Sequence, residues 1–524
     1  MPNFAIRNSP LAYKNSPFGG CTARDEACRL SSLHVMGLEF FFVLPTNLMG
    51  VPAMKKIISR SASAALVVLL ALGLSGSMPT DTQARTAKPN IVFILADDMR
   101  KDDLKHMPKT RSVLKEKGLI FHNAFVSTPL CCPSRATIMR GQYAHNSGVW
   151  NIFGSSSGWQ TYRAKGLERN NVATRLDATG YRTGLFGKYL NGYKGTSDKP
   201  PGWDEWFAHT GGAHYYDYKI NDDGTVRHFG SSAADYETDV IANRAKTFIG
   251  TSVRTGKPFF AYVAPKAPHD PSTPARRDKH TFDGIRAARS PSFNEKKVAD
   301  KPPWIRKLPR LSDAKKAKID KRAEKRAETL QALDDLVAGI VGKLGDSGVL
   351  SNTYVFFTSD NGFQMGEHRI TRPGKGRSYE ESVRVPLLAR GPGIAAGREA
   401  QKLALNTDYL PTFTDLASAQ TPGYVDGRSL RPVLKGNATA WRSAVLLEAH
   451  DAPRNTPPYS GIRTSSTKYV EYAGGKRELY FLGKDPDELR NRYPAAKSSA
   501  RLVHRLDALR TCAGVGCRAA ENGR

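Results

Sequence analysis

Two apolar runs that stop abruptly at hard oxygen side chains constrain this chain more than anything else in it. Ile91 to Ala96 runs straight into Asp97 and Asp98, and Tyr354 to Thr358 runs into Ser359-Asp360-Asn361-Gly362. An uninterrupted run of this length suits a strand covered on both faces, as in a parallel sheet with helices on either side. Thr183 to Phe186 before Gly187-Lys188, and Phe259 to Ala264 before Pro268-His269, repeat the design. Helical patterns lie between the runs. The clearest spans Asp313 to Leu344, where Leu330, Leu333, Leu336, Val337 and Ile340 form an apolar stripe and the basic first half reads as a solvated face. Alternating strands and helices predict an α/β sheet, and in such sheets ligands collect beyond the carboxyl ends of the strands. Asp97, Asp98, Asp360, Asn361, Lys188 and His269 would meet on that edge.

The length, 524 residues, allows two or three domains and a large core, and 40% hydrophobic with 24% charged residues excludes a collagenous or largely disordered chain. Lys plus Arg number 78 against 49 Asp plus Glu, so the formal net charge of +29 favours polyanionic partners. No P-loop, dinucleotide-binding glycine pattern or zinc finger is present, and nothing interleaves aromatic with basic residues as a nucleic-acid module would. Nucleic acid is therefore not an expected partner. Arg276 to Pro309 reads as a long basic surface loop.

Lys55, Lys56 and Arg60 precede the apolar run Ala64 to Leu74, followed by small and polar residues, which is the layout of a secretory signal too short to span a bilayer. Met54 directly before Lys55 marks an expected true start, with residues 1–53 a gene-model extension and 54–84 the signal peptide. The expected destination is secreted, periplasmic or extracellular, without a stable membrane anchor. Export makes Cys512 and Cys517 a candidate disulfide clip, with two free thiols as the alternative.

Asp97, Asp98, Asp360 and Asn361 supply hard oxygen ligands suited to Ca²⁺, with Mg²⁺ the alternative, and poorly suited to zinc or copper. A further segment, Cys131-Cys132-Pro133-Ser134-Arg135 running to Gly141, places Pro near a helix start and a forked cation beside it, a setting that would hold sulfate or phosphate. A cysteine there reads as a nucleophile, a disulfide partner or a buried residue.

This segment resembles the Cys-x-Pro-Ser-Arg signature of the type I sulfatases, in which the first cysteine is oxidised to Cα-formylglycine; by position that is Cys131. Gly187-Lys188, Ala267-Pro268-His269, Ser359-Asp360-Asn361-Gly362 and Gly374-Lys375-Gly376 follow in the family's order. Gly187 to Asn191 and Pro200 to Trp203 look most like N-acetylglucosamine-6-sulfatases and heparan endosulfatases, whereas Gly366-Glu367-His368-Arg369 looks like other branches.

The resemblance implies an alkaline-phosphatase-like α/β fold with a large, mixed, mostly parallel sheet, a catalytic domain over residues 85–425 and a smaller C-terminal subdomain over 426–524. It further implies Ca²⁺ held by Asp97, Asp98, Asp360, Asn361 and residue 131, and maturation by a formylglycine-generating enzyme. A hydroxyl of the hydrated aldehyde would attack sulfur, with Asp360 taking a proton, Arg135 and Lys188 offsetting charge, and His269 and Lys375 donating to the leaving oxygen. Many relatives carry His two residues after the lysine matching Lys188, where this chain has Leu190, so His145 is a candidate replacement base and, with His368, a candidate substrate contact. The expected substrate is a sulfated sugar, a glycosaminoglycan or an aryl sulfate. A phosphate or phosphonate ester hydrolase of the same superfamily and a non-catalytic polyanion-binding protein are the competing readings.

Overall fold

The computed structural model describes residues 88–152, 154, 158–195, 199–450, 456–494 and 499–523. The proposed extension and signal peptide lie outside the described residues, and every described residue belongs to one compact unit, Thr82–Arg524.

Ten strands form the main sheet, in the spatial order Arg398–Ala400, Leu119–Phe121, Leu387–Arg390, Thr353–Ser359, Asn90–Ala96, Phe259–Ala264, Arg182–Gly187, Glu205–Thr210, Tyr218–Asp222 and Thr225–Phe229. The five strands from Thr353–Ser359 to Glu205–Thr210 are parallel neighbours, and antiparallel pairings occur only outside them. All four apolar runs singled out in the sequence are central parallel strands. Their register aligns Ala96 with Ser359 and Gly187 with Ala264, so the polar residues that follow emerge along one edge.

Strand residues alternate between two cores because successive side chains point to opposite faces. Ile91, Phe93 and Leu95 pack with Cys132, Ala136 and Met139 of the helix Cys131–Arg140 and with Leu410 and Phe413 of Tyr409–Leu416. Val92, Ile94 and Ala96 face the other core, with Phe248 of the helix Glu237–Arg254 and Leu330, Leu333, Leu336 and Val337 of the long helix Asp313–Asp346. Burying six consecutive strand side chains contributes on the order of 10 kcal/mol in gross apolar transfer.

The basic half of the long helix is not wholly a solvated face. Arg326 falls three residues after Ala323 and four before Leu330, on the apolar stripe, and is 1% exposed. It is held by two carbonyls and a carboxylate, which satisfies a buried charge.

A separate four-stranded antiparallel sheet, Ala444–Ala449, Tyr459–Thr464, Thr467–Tyr472 and Arg477–Phe481, carries the helices Ser499–Arg510 and Val515–Asn522. Cys512 and Cys517 are joined by a disulfide, while Cys131 and Cys132 are free and buried.

Candidate active site

Asp97 and Asp98 begin where the central strand ends. Asp98 takes a left-handed backbone (φ 65°), a conformation more open to Asp than to most residues, and Arg326 Nη2 donates to its carbonyl at 2.6 Å. From the adjacent strand end, Asp360 Oδ1 accepts from the Asp98 N–H at 3.1 Å, and Asn361 Nδ2 donates to Asp98 Oδ1 at 2.7 Å.

Cys131 is the first residue of its helix, after extended Leu130, so the free N–H groups and partial positive end of that helix lie at the thiol. Its Sγ lies 3.6 Å from Asp97 Oδ1 and 3.9 Å from Asp98 Oδ1, with Lys375 Nζ at 2.8 Å. One helical turn on, Arg135 donates through Nε to Asp360 Oδ2 and through Nη1 to the Lys188 carbonyl, both at 2.8 Å.

Lys188 reaches Asp97 because Gly187 lets two strand ends close together. A Cβ at Gly187, which has φ +111°, would stand 2.2 Å from the Ala264 carbonyl oxygen. The Lys188 N–H donates to that same oxygen at 2.8 Å, and its Nζ pairs with Asp97. Lys375 Nζ pairs with Asp98 Oδ1 at 2.5 Å, and His269 Nε2 lies 3.5 Å from Asp98 Oδ2. His269 Nδ1 lies between the Asp270 carbonyl, at 2.7 Å, and Lys266 Nζ, at 3.3 Å.

Buried carboxylates and buried cations set one another's charge here. Burial raises the Asp97 carboxyl, but Lys188, His269, Arg135 and Lys375 outweigh it and hold the group well below the usual carboxylate range. Asp360 goes the other way: burial and the Asp97 charge push it up to about 6 against the pull of Arg135. Burial pushes the Cys131 thiol up to about 12, with Lys188 and Lys375 opposing, so the unmodified side chain is a protonated thiol at neutral pH. Burial also works against charge on Lys375, yet Asp98 and its neighbours keep it firmly cationic, while burial takes His269 down to about 4.

Asp97, Asp98, Cys131 and His269 bring one potential ligand atom each to within 4.8 Å of one another. Asn361 Oδ1 is buried without a hydrogen-bond partner among the described residues, the condition of an oxygen shaped for a cation. Three carboxylates no more than 1% exposed complete a hard donor set, so these residues fit a divalent ion of the Ca²⁺ or Mg²⁺ type.

Nine of the residues singled out in the sequence thus meet in one cluster: Asp97, Asp98, Cys131, Arg135, Lys188, His269, Asp360, Asn361 and Lys375. Two do not join it. His145 has both ring nitrogens engaged, Nδ1 with Glu448 at 2.8 Å and Nε2 with the Cys512 carbonyl at 2.9 Å, and it stacks on Tyr143. It ties the C-terminal segment to the main body and is corrected from base or substrate contact to a structural tie. His368 is 0% exposed, with Nδ1 2.7 Å from Glu295 and its ring 4.1 Å from that of Tyr379, so substrate cannot touch it.

Sequence reasoning missed Lys266 and Arg326. Lys266, 5% exposed, places Nζ 3.3 Å from His269 Nδ1, and burial lowers its affinity for a proton. Its place in Ala264-Pro265-Lys266-Ala267-Pro268-His269, between a strand end and the histidine, was the available signal.

The sulfatase family model matches residues 89–419, well over half of the chain. The chain belongs to the sulfatase family. A second model, the C-terminal region of N-sulphoglucosamine sulphohydrolase, matches residues 366–511 of this sulfatase. The sulfatase is 33% identical to Homo sapiens N-acetylglucosamine-6-sulfatase over 510 residues, covering 87% of this chain and 90% of the relative. It is 37% identical over 377 residues to the Drosophila melanogaster extracellular sulfatase SULF-1 homolog, covering 70% of this chain but only 33% of that longer relative. A solved protein in complex with its substrate D-glucosamine-2-N,6-O-disulfate shares the fold, with a TM-score of 0.71 at 23% identity over 83% of this chain and 99% of that one. Among the described residues no helix is long and apolar enough to cross a membrane.

Proposed function

We propose that this sulfatase releases inorganic sulfate from sulfated glucosamine units of a carbohydrate, with residue 131 acting as formylglycine beside a Ca²⁺ or Mg²⁺ ion. The observation that carries the reading is the setting of Cys131. It stands at a helix N-terminus among Asp97, Asp98 and Lys375, where burial pushes a thiol up to about 12 and a soft sulfur is a poor match for a hard-oxygen cation site. Oxidation to the aldehyde, whose hydrate offers hydroxyl oxygens, removes that mismatch. A formylglycine-generating enzyme is the partner this requires.

When bound by Asp97, Asp98, Asp360, Asn361 and residue 131, the ion supplies charge for a sulfate oxygen. The chain's own residues do the rest. Arg135 fixes Asp360 and so orients the carboxylate that takes the proton of the attacking hydroxyl. Lys188 and Lys375 hold fixed positive charge beside residue 131, where the attacking oxyanion forms, and Lys375 offers a proton to the leaving oxygen, on which negative charge grows as its bond to sulfur breaks. His269 faces Asp98 through Nε2 and, brought down to about 4 by burial, is neutral at rest, so Lys375 is the standing donor.

Export to the periplasm or medium suits the extracellular relatives and the disulfide Cys512–Cys517. Turnover tests the reading. Protein from its native host should release sulfate from N-acetylglucosamine-6-sulfate and from nitrophenyl sulfate, and chelation should abolish the release. Faster turnover of the matched phosphate or phosphonate ester would overturn it.

A further inference from the structure

Outside the reaction centre lies a groove of about 510 Å³ lined by Lys318, Lys321, Arg322, Lys325, Arg372 and Asp270. Five cations face one acid. A smaller hollow of about 150 Å³ continues it past Lys315. Asp270 is shared between Arg322, at 3.5 Å, and Arg372, at 3.8 Å, and Lys321 pairs with Glu324. Lys315, Lys318 and Lys325 are exposed and have no acidic partner among the described residues. Lys318 and Lys325, added to cations that already use the one lining acid, leave the groove with excess positive charge that favours an anion within it.

The walls are the same three segments that build the reaction centre. The long helix carries Arg326, whose Nη2 holds the Asp98 carbonyl, and one turn earlier presents Arg322 to the groove. The segment carrying His269 continues into Asp270 and Pro271, and the loop carrying Lys375 supplies Thr371 and Arg372, with Arg322 Nη1 donating to the Thr371 carbonyl at 3.1 Å. Lys325, Arg322, Lys318 and Lys315 succeed one another at helical spacing. From Arg326 to Lys315 the helix rises about 16 Å. The cations therefore lead outward from the helix turn that holds the Asp98 backbone, over a length greater than one sugar sulfate.

We propose that this groove is an accessory subsite for a second anionic group of the substrate, which makes the preferred substrate an oligosaccharide carrying several negative groups. The inference rests on the sulfatase reading of the reaction centre and adds the chain length and charge that the enzyme reads.

The test compares wild-type holoenzyme with the double variant Lys318→Glu/Lys325→Glu, neither residue belonging to the catalytic machinery. The substrates are N-acetylglucosamine-6-sulfate and a polysulfated glucosamine-containing tetrasaccharide. For the tetrasaccharide, KM should rise about tenfold with kcat unchanged, and the salt dependence of kcat/KM should flatten. KM for the monosaccharide should stay the same, and Lys318→Arg/Lys325→Arg should behave as wild type. An unchanged tetrasaccharide KM, or an equal rise for both substrates, would overturn the subsite. Should no ester release sulfate, the sulfatase reading fails by itself; calorimetric binding of the same tetrasaccharide to wild type and double variant then decides the groove, with the same tenfold expectation.

Discussion

Two buried clusters of carboxylate and histidine share the segment Asp360 to Glu381, and they do opposite jobs. At the sheet edge Asp97, Asp98 and Asp360 meet Arg135, Lys188 and Lys375, and His269, with its side chain 28% exposed, stands at the mouth. Behind the loop, His368, Glu381 and Glu488 bring ligand-type atoms to within 4.8 Å, with Glu295 and Lys468 as partners. Both bury charge, and both disturb proton affinities. Unpartnered polar atoms occur in both, Asn361 Oδ1 in the first and His368 Nε2 and Glu381 Oε2 in the second, but only the first opens outward at His269 and has a cysteine at a helix N-terminus. Perturbed carboxylates alone do not identify a reaction centre, because structural charge networks perturb them equally.

Cys131→Ala should lower sulfate release by on the order of 10³-fold or more with little change in Tm, since one small buried side chain replaces another. Retained turnover would remove the distinction between the clusters. Lys375→Ala should lower kcat by on the order of 10²-fold through loss of a fixed donor beside residue 131. If only KM rises, Lys375 merely attracts substrate.

Glu381→Gln probes the other cluster. Burial and Glu367 push the Glu381 carboxyl up to about 7, above its unfolded value, so its ionisation costs stability as pH rises through that interval. The variant should gain about 2 kcal/mol at pH 8, lose that gain below about pH 4, and keep its kcat, by chemical denaturation and turnover. Lost activity at unchanged stability would make this cluster part of the reaction centre.

The smallest effect belongs to the His145 tie. Burial lowers the affinity of His145 for a proton, but the Glu448 carboxylate outweighs it and raises the group above its ordinary value. The pair's stabilisation is thus complete below the unfolded value near 6.5 and is lost as pH rises through the folded one. Glu448→Gln should cost about 1 kcal/mol at pH 6 and progressively less as the imidazole deprotonates.

Much of the site was legible because strand ends are legible. Continuous apolar runs stopping at Asp97, Asp360, Lys188 and the approach to His269 place those residues on one edge as soon as the strands are parallel neighbours. His145 and His368 were misjudged because a motif a few residues long carries no information about burial, which the C-terminal segment and the Glu295 loop supply from far away in sequence. Arg326 was hidden by its basic surroundings, although its spacing from Ala323 and Leu330 put it on the buried stripe. The strand Tyr459–Thr464 escaped notice because Ser460, Gly461 and Arg463 break its apolar pattern; pairing on both sides forms it nonetheless.

The central claim is that residue 131 is a converted cysteine. Mass analysis of the tryptic peptide from Gly118 to Arg135, taken from protein made in its native host, should show the Cys131 sulfur replaced by an aldehyde oxygen with Cys132 intact. An unmodified thiol at Cys131 in active, natively made enzyme would contradict the account.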